Sequence, residues 1–137
     1  MFRLNNEKGL ATIEFALILP VLTFLVMGII DFGMLMTSRA SMVSASREGA
    51  RAGILLTAPP VTETEISTVV RNALTDSGWD SANVASATVT VNGAGGGFGT
   101  DLTVTVGSNY SFFVLSKLIP PIADQLLLSA STTMKNE

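Results

Sequence analysis

The chain has no cysteine and no histidine among its 137 residues, and each absence removes a class of chemistry. Without cysteine, neither a disulfide framework nor a thiolate metal site is possible. Without histidine, the chain lacks the commonest general base and the commonest zinc ligand. Enzymatic chemistry is therefore disfavoured from the outset.

Charge is also scarce, since charged residues make up 14% of the chain and apolar residues 47%. The formal net charge is −3, and the eight lysines and arginines are scattered, so no basic face is available for phosphates. We expect no nucleic-acid partner. A chain of this length holds at most one modest globular domain once any membrane segment is set aside.

Two features look like functional motifs only in isolation. The glycine-rich stretch 93–99 fails the G-x-G-x-x-G pattern, because Phe98 and Thr100 stand where the last glycine belongs, and no lysine follows for a P-loop. Glu63 and Glu65 have no histidine, lysine or cysteine beside them, which is typical of a solvated first helical turn. We assign no catalytic, cofactor-binding or metal-binding residues.

The longest apolar run extends from Leu10 to Gly33 and carries only two charges, Glu14 and Asp31. As a helix it would be about 36 Å long, enough to cross a hydrocarbon core of about 30 Å. A cleaved secretory signal is the competing interpretation, but the run is too long for its apolar region and no A-x-A site follows. We predict a transmembrane helix over 10–33, with Asp31 in reach of headgroups and water. Basic residues flank both ends, so charge does not settle the orientation.

The helical pattern continues beyond the span. Residues 34–57 contain no proline and are rich in alanine, methionine, serine and arginine. The double proline that follows excludes the residues before it from the helical region. We therefore expect one continuous helix that ends near Leu56 or Thr57.

A short amphipathic helix is predicted next, over residues 63–77. Thr62 and Glu65 stand at capping-box spacing at its start, and Gly78 ends it. Five apolar residues recur on one helical face, which indicates the side that packs on a core: Ile66, Val69, Val70, Ala73 and Leu74.

The apolar period then changes from 3.6 to 2, which indicates β-strands. Alternation marks three strands, over 87–91, 101–106 and 126–134, with the glycine-rich stretch as the loop between the first two. The stretch 110–125 is apolar without a clean period and predicts a short helix or a packed loop. Five residues are expected to form the core between the sheet and helix 63–77: Leu102, Val104, Val89, Val69 and Leu74.

These patterns predict an α+β fold, in which a long N-terminal transmembrane helix continues into a small domain with a short helix on an antiparallel sheet of about three strands. The order along the chain is a transmembrane helix over 10–33, its continuation beyond the membrane over 34–57, and a small α+β domain over 58–137.

Four stretches together carry a family resemblance: "GLATIEFALILPVL", "GIIDFG", "SREGAR" and the C-terminal "SASTTMKNE". They resemble the TadE-like minor pilins, or pseudopilins, of bacterial tight-adherence (Tad, Flp) type IVb pilus and secretion systems. The N-terminal match covers residues 9–51, and the middle of the chain, 52–125, matches in pattern only. The third stretch contributes four motif residues: Arg47, Glu48, Gly49 and Arg51.

The resemblance implies that residues 1–9 are a cytoplasmic leader, which a prepilin peptidase removes by cutting between Gly9 and Leu10. It also implies a single pass through the inner (cytoplasmic) membrane, with the N-terminus inside and a pilin-like ectodomain outside. Glu14 would become the fifth residue of the mature protein and pair with the freed amino group of a neighbouring subunit. Low dielectric strengthens such a pair.

The implied function is structural: a minor subunit, not an enzyme, for the assembly of an adhesive pilus. Phe15 stands where the major Flp pilins typically have tyrosine, and the ectodomain is larger than in those short subunits, so both features favour a minor component. Implied partners are the prepilin peptidase, other pilin and minor pilin subunits, the inner-membrane assembly platform and the membrane. The alternative is an unprocessed single-pass anchor whose β-rich ectodomain binds an extracytoplasmic partner.

Overall fold

The computed structural model describes residues 6–55, 59–112 and 126–136, with side chains from residue 9 onward. The α+β class predicted from the sequence is confirmed. In chain order the elements of these residues are α1 (Asn6–Gly53), α2 (Glu63–Asp76), α3 (Ser81–Ser86), β1 (Thr88–Asn92), β2 (Asp101–Tyr110) and β3 (Leu126–Lys135).

Helix α1 has 48 residues and two different surroundings. From Gly9 to Ile30 every residue but Gly28 is exposed, and Pro20 lies inside this part without ending the helix. Beyond Ile30 one face becomes buried at spacings of mostly three or four residues, which is the helical period. The buried positions are Asp31, Leu35, Met42, Ala45, Ser46, Gly49, Ala50 and Gly53. The first half of α1 is therefore free to face lipid, and the second half forms part of the domain core.

The end of α1 differs from the prediction. The helix ends at Gly53, before the expected end near Leu56 or Thr57. Glycine is a poor helix former and commonly stands where helices end. The double proline therefore follows the helix end but does not by itself set it.

Helix α2 begins with the predicted capping box. The Thr62 backbone N–H donates to Glu65 Oε2 at 2.8 Å, and the Glu65 backbone N–H donates to Thr62 Oγ1 at 3.3 Å. The Thr62 backbone N–H and the Thr62 hydroxyl, 2.9 Å away, both donate to this carboxylate, and they hold the pKa of Glu65 below its usual value. The buried face of α2 consists of Ile66, Val70 and Leu74, one residue per turn.

The sheet is antiparallel in the order β1-β2-β3. All three predicted strands are confirmed, with β1 shifted by one residue and β2 extended to Tyr110. The short helix α3 between α2 and β1 was not predicted. Of the stretch predicted as a short helix or packed loop, residues 113–125 lie outside the described residues.

The core lies between the sheet and both long helices. Helix α1 packs on α2, β2 and β3, and α2 also contacts β1. Of the five predicted core residues, Leu74, Leu102 and Val104 are fully buried. Val89 packs on the edge of the core, whereas Val69 is only half-buried because α2 turns its Ile66–Val70 side inward.

Candidate functional site

The four residues that the sequence assigns to processing and assembly lie on the exposed first turns of α1. Leu10 and Phe15 are 60% and 65% exposed, Glu14 is exposed, and a side chain added at Gly9 would meet nothing within 4 Å. None of them is covered by the part of the chain's own domain that the structure describes. Each is therefore open to lipid, to an enzyme or to a neighbouring helix.

The motif residues of "SREGAR" lie far from these four residues. Arg47 stands 33 residues after Glu14 on the same helix, a separation of about 50 Å. Arg47, Glu48 and Arg51 are exposed, whereas Gly49 is buried. The motif thus has an outward charged side and an inward packed side, and only the inward side has a role within this chain.

Gly49 allows α1 and α2 to approach closely. A Cβ atom at position 49 would overlap the Cγ2 methyl of Val70, and it would lie 3.5 Å from Cγ1 of Val104 and 3.6 Å from Cγ2 of Ile66. One turn later, a Cβ at Gly53 would lie 2.6 Å from methyl groups of Ile66 and Leu102. Two glycines at i and i+4 therefore form the flat surface of α1 on which α2 and β2 pack.

A buried hydrogen bond joins the same face of α1 to the sheet. Ser46 Oγ lies 2.7 Å from Thr132 Oγ1 on β3 and donates to the carbonyl of Val43 at 2.9 Å. Ser46 is fully buried, so these partners offset the cost of removing its hydroxyl from water.

Asp31 lies at the other end of this face, and its predicted exposure to water is wrong. The residue is fully buried, and Tyr110, the last residue of β2, returns to the helix beside it. The Tyr110 hydroxyl donates to the backbone carbonyl of Asp31 at 3.3 Å. Burial, and next the charge of Asp31, raise the pKa of Tyr110 above its ordinary value, so the hydroxyl stays a neutral donor near pH 7.

Next to this contact is a surface cleft that we call the Trp79 cleft. One wall is apolar and lies at the end of the exposed first half of α1, at Ile30, Gly33 and Met34. Trp79 and Tyr110 line the opposite side. This part has a volume of about 600 Å³. A second part of about 330 Å³ shares Trp79 and Tyr110 and is lined by polar groups: Ser38, Asp80, Asn83, Ser108, Asn109 and Ser111.

The end of the ectodomain farther from the Trp79 cleft carries the glycine-rich loop, which is the predicted hairpin connection between β1 and β2. Asn136 anchors it through backbone hydrogen bonds with Gly99 and Thr100, both 2.9 Å, and through its side chain to Thr100 Oγ1 at 2.7 Å. The loop lies beside Gly53 at the end of α1. Phe98 extends from it and is 82% exposed.

The described titratable groups do not form an arrangement typical of a catalytic or metal site. Among the described residues, no three aspartate or glutamate side chains come together in a group that could hold a metal ion. The strongest polar arrangements are structural ones, namely the capping box of α2 and the Ser46–Thr132 bond.

Sequence reasoning missed the cleft and the inward role of the motif. Trp79 and Tyr110 are the chain's single tryptophan and single tyrosine, a signal that was available. Spacing alone does not show that both return to one point on α1. The small residues of α1 repeat at helical spacing, yet only the position of α2 shows that Gly49 is a packing contact.

Comparison with known proteins gives one match. The family model described as TadE-like protein matches residues 9–51, while no curated protein and no solved structure matches the chain. The matched segment contains the bare half of α1, the buried Asp31 and the packed Gly49. Among the described residues, α1 is also the one helix long and apolar enough to cross a membrane, which fits a single-pass anchor. Over residues 9–51 this chain is similar to the TadE-like proteins, the family that its N-terminal motifs predict.

Proposed function

We propose that the protein is a pilin-like structural subunit of a Tad (Flp) type IVb pilus, stored in the inner membrane through α1 and used in pilus assembly as a minor component. The observation that carries this proposal is the family match over residues 9–51, on a helix whose first half is bare and whose second half holds a folded ectodomain. The role is structural and not catalytic.

The bare half of α1 supports the proposal physically. Exposure of its apolar side chains from Leu10 to Ile30 to water would be unfavourable, so lipid or other helices must cover them. A subunit that leaves the membrane for a filament exchanges one apolar surrounding for another. The proposed partners on this surface are the membrane, other pilin and minor pilin subunits and the assembly platform.

Processing is the first step of the proposed maturation. We infer that a prepilin peptidase, working from the cytoplasmic side, cuts between Gly9 and Leu10 and removes residues 1–9. The bond is open to an enzyme, since the added Cβ at Gly9 meets nothing and Leu10 is mostly exposed. The cut leaves a new amino group four residues before Glu14.

Glu14 then has a proposed partner outside its own chain. Its side chain is exposed on a helix surface that is otherwise uncharged from Leu10 to Ile30. An ion pair with the Leu10 amino group of a neighbouring subunit would satisfy both charges in a poorly hydrated bundle. Glu14 would then set the register between adjacent helices.

Processing is tested by intact mass or N-terminal sequencing of the protein from its native membrane. We expect a chain that begins at Leu10, and a Gly9→Phe variant that keeps its leader. Gly28→Phe is the control, because an added side chain there also meets nothing within 4 Å and the change lies away from the cut site. A native protein that begins at Met1, in cells with active peptidase, would instead support the unprocessed single-pass anchor.

The role of Glu14 is tested by comparing sheared surface filaments with the membrane pool. Glu14→Gln leaves a neighbour's amino group unpaired, a loss of about 3–5 kcal/mol, so we expect processed but unassembled protein. If the carboxylate acts only on the helix dipole, the loss is about 0.3–1 kcal/mol and piliation stays near normal. The matched control is Glu63→Gln, an exposed carboxylate in the first turn of α2, which we expect to assemble normally.

A further inference from the structure

We propose that the Trp79 cleft binds a phospholipid of the outer leaflet, with its acyl chain against the apolar wall of α1 and an amine-bearing headgroup at the polar end. The ectodomain is then seated on the membrane surface through Trp79 and Tyr110. This proposal rests on the proposed role of α1 as a membrane anchor with its N-terminus inside, and it holds for a processed or an unprocessed chain.

The position of the cleft places it at the height of the lipid headgroups. Its apolar wall, Ile30, Gly33 and Met34, is the outer end of the apolar run that crosses the bilayer. Ile30 is 50% exposed and continues the bare surface of α1 without a break. Lipid that covers α1 within the membrane therefore reaches the cleft along a continuous apolar surface.

The aromatic residues on the facing side fit the same height. Tryptophan and tyrosine are enriched at membrane–water interfaces, because each combines an apolar ring with a polar group that stays hydrated. The only tryptophan and the only tyrosine of the chain both lie here, and the rest of the described ectodomain has neither.

The polar end of the cleft indicates the headgroup. Among the described residues that line either part, Asp80 is the only charged one, and these residues include no lysine or arginine to bind a phosphate. A negative side chain and two electron-rich rings favour a cation, here the ammonium group of an ethanolamine-type lipid. The cleft is thus complementary to one lipid molecule, because both are apolar at one end and polar at the other.

Because the chain has a single tryptophan, the emission of Trp79 reports on this cleft alone. The full-length protein is reconstituted into vesicles of phosphatidylethanolamine and phosphatidylglycerol that contain phosphatidylcholine brominated either near the headgroup or near the end of the acyl chain. We expect the headgroup-proximal bromines to reduce Trp79 emission more than the deep ones, and aqueous acrylamide to quench it weakly.

The matched control moves the single tryptophan to the other end of the ectodomain. In Trp79→Phe/Phe98→Trp the tryptophan lies on the exposed loop beside Gly53, about 30 Å along α1 from the outer end of the span. We expect acrylamide to quench this variant strongly and brominated lipids to leave its emission unchanged.

Trp79 emission that does not respond to brominated lipid would overturn the proposal in either of two ways. Strong acrylamide quenching would mean that water fills the cleft, and weak quenching would mean that protein covers it, from residues 113–125 or from a second copy. The headgroup assignment has its own test, in which the bromines are carried either by phosphatidylethanolamine or by phosphatidylglycerol in vesicles of the same overall composition. We expect brominated phosphatidylethanolamine to quench Trp79 more than brominated phosphatidylglycerol does, and Asp80→Asn should remove that difference. A difference that persists in the variant would overturn the amine assignment.

Discussion

Replacing Gly49 by alanine tests whether the close contact between α1 and α2 stabilises the ectodomain. In the native protein the backbone of α1 at Gly49 packs against Val70, with Ile66 and Val104 beside it. The new Cβ would overlap Cγ2 of Val70, and a valine in a helix has essentially one χ1 rotamer, so its methyl group cannot turn away. The two helices must therefore separate locally.

Two opposing effects set the magnitude. Alanine is favoured over glycine inside a helix by about 1 kcal/mol. Overpacking a tight core costs about 1–3 kcal/mol. We expect the second effect to exceed the first by about 1 kcal/mol, which for a domain of this size lowers the melting temperature by about 4–8 °C.

The assay is thermal unfolding of the full-length protein in detergent, followed by Trp79 emission and near-ultraviolet circular dichroism. Gly28→Ala is the control, since it makes the same substitution in the same helix at a site with nothing within 4 Å. Val70→Ala removes the methyl group that the new Cβ would meet. The double variant Gly49→Ala/Val70→Ala should then be more stable than the sum of the single effects predicts, by about 0.5–3 kcal/mol.

Two results would refute this reasoning. A Gly49→Ala protein as stable as wild type, or more stable, would mean that α2 adjusts without cost. Strictly additive effects of Gly49→Ala and Val70→Ala would mean that the two residues do not share the contact.

Two further predictions concern the sheet and the cap of α2. Val104→Asp buries an unpaired carboxylate at a fully buried position, and we expect a loss above about 4 kcal/mol that unfolds the ectodomain. Thr90→Asp on the exposed side of β1 should melt like wild type; equal melting of both variants would contradict the layer assignment. The bonds from Thr62 lower the pKa of Glu65. The stability that they contribute is therefore fully present above pH 4.5, the ordinary pKa of glutamate, and is lost as the pH falls through the lowered pKa. Glu65→Gln should flatten that part of the acid dependence of the melting temperature, and an unchanged profile would argue against the cap.

The sequence by itself determined the features that depend on residues close together along the chain. The apolar run of 10–33, the Thr62–Glu65 capping box and the alternation of the three strands are local patterns, and each appears in the structure where its period places it. The motifs of residues 9–51 belong to the same class, because a linear pattern suffices to recognise a family.

The tertiary structure decided which side of each element faces inward and what meets there. Val69 and Val70 are equally apolar in sequence, and only the packing of α2 on Gly49 makes Val70 the core residue. Asp31 is an interfacial charge by position, but in the structure it is fully buried, and Tyr110, 79 residues later, donates to its backbone carbonyl. Contacts between residues so distant in sequence depend on the assembled fold, and no local period records them.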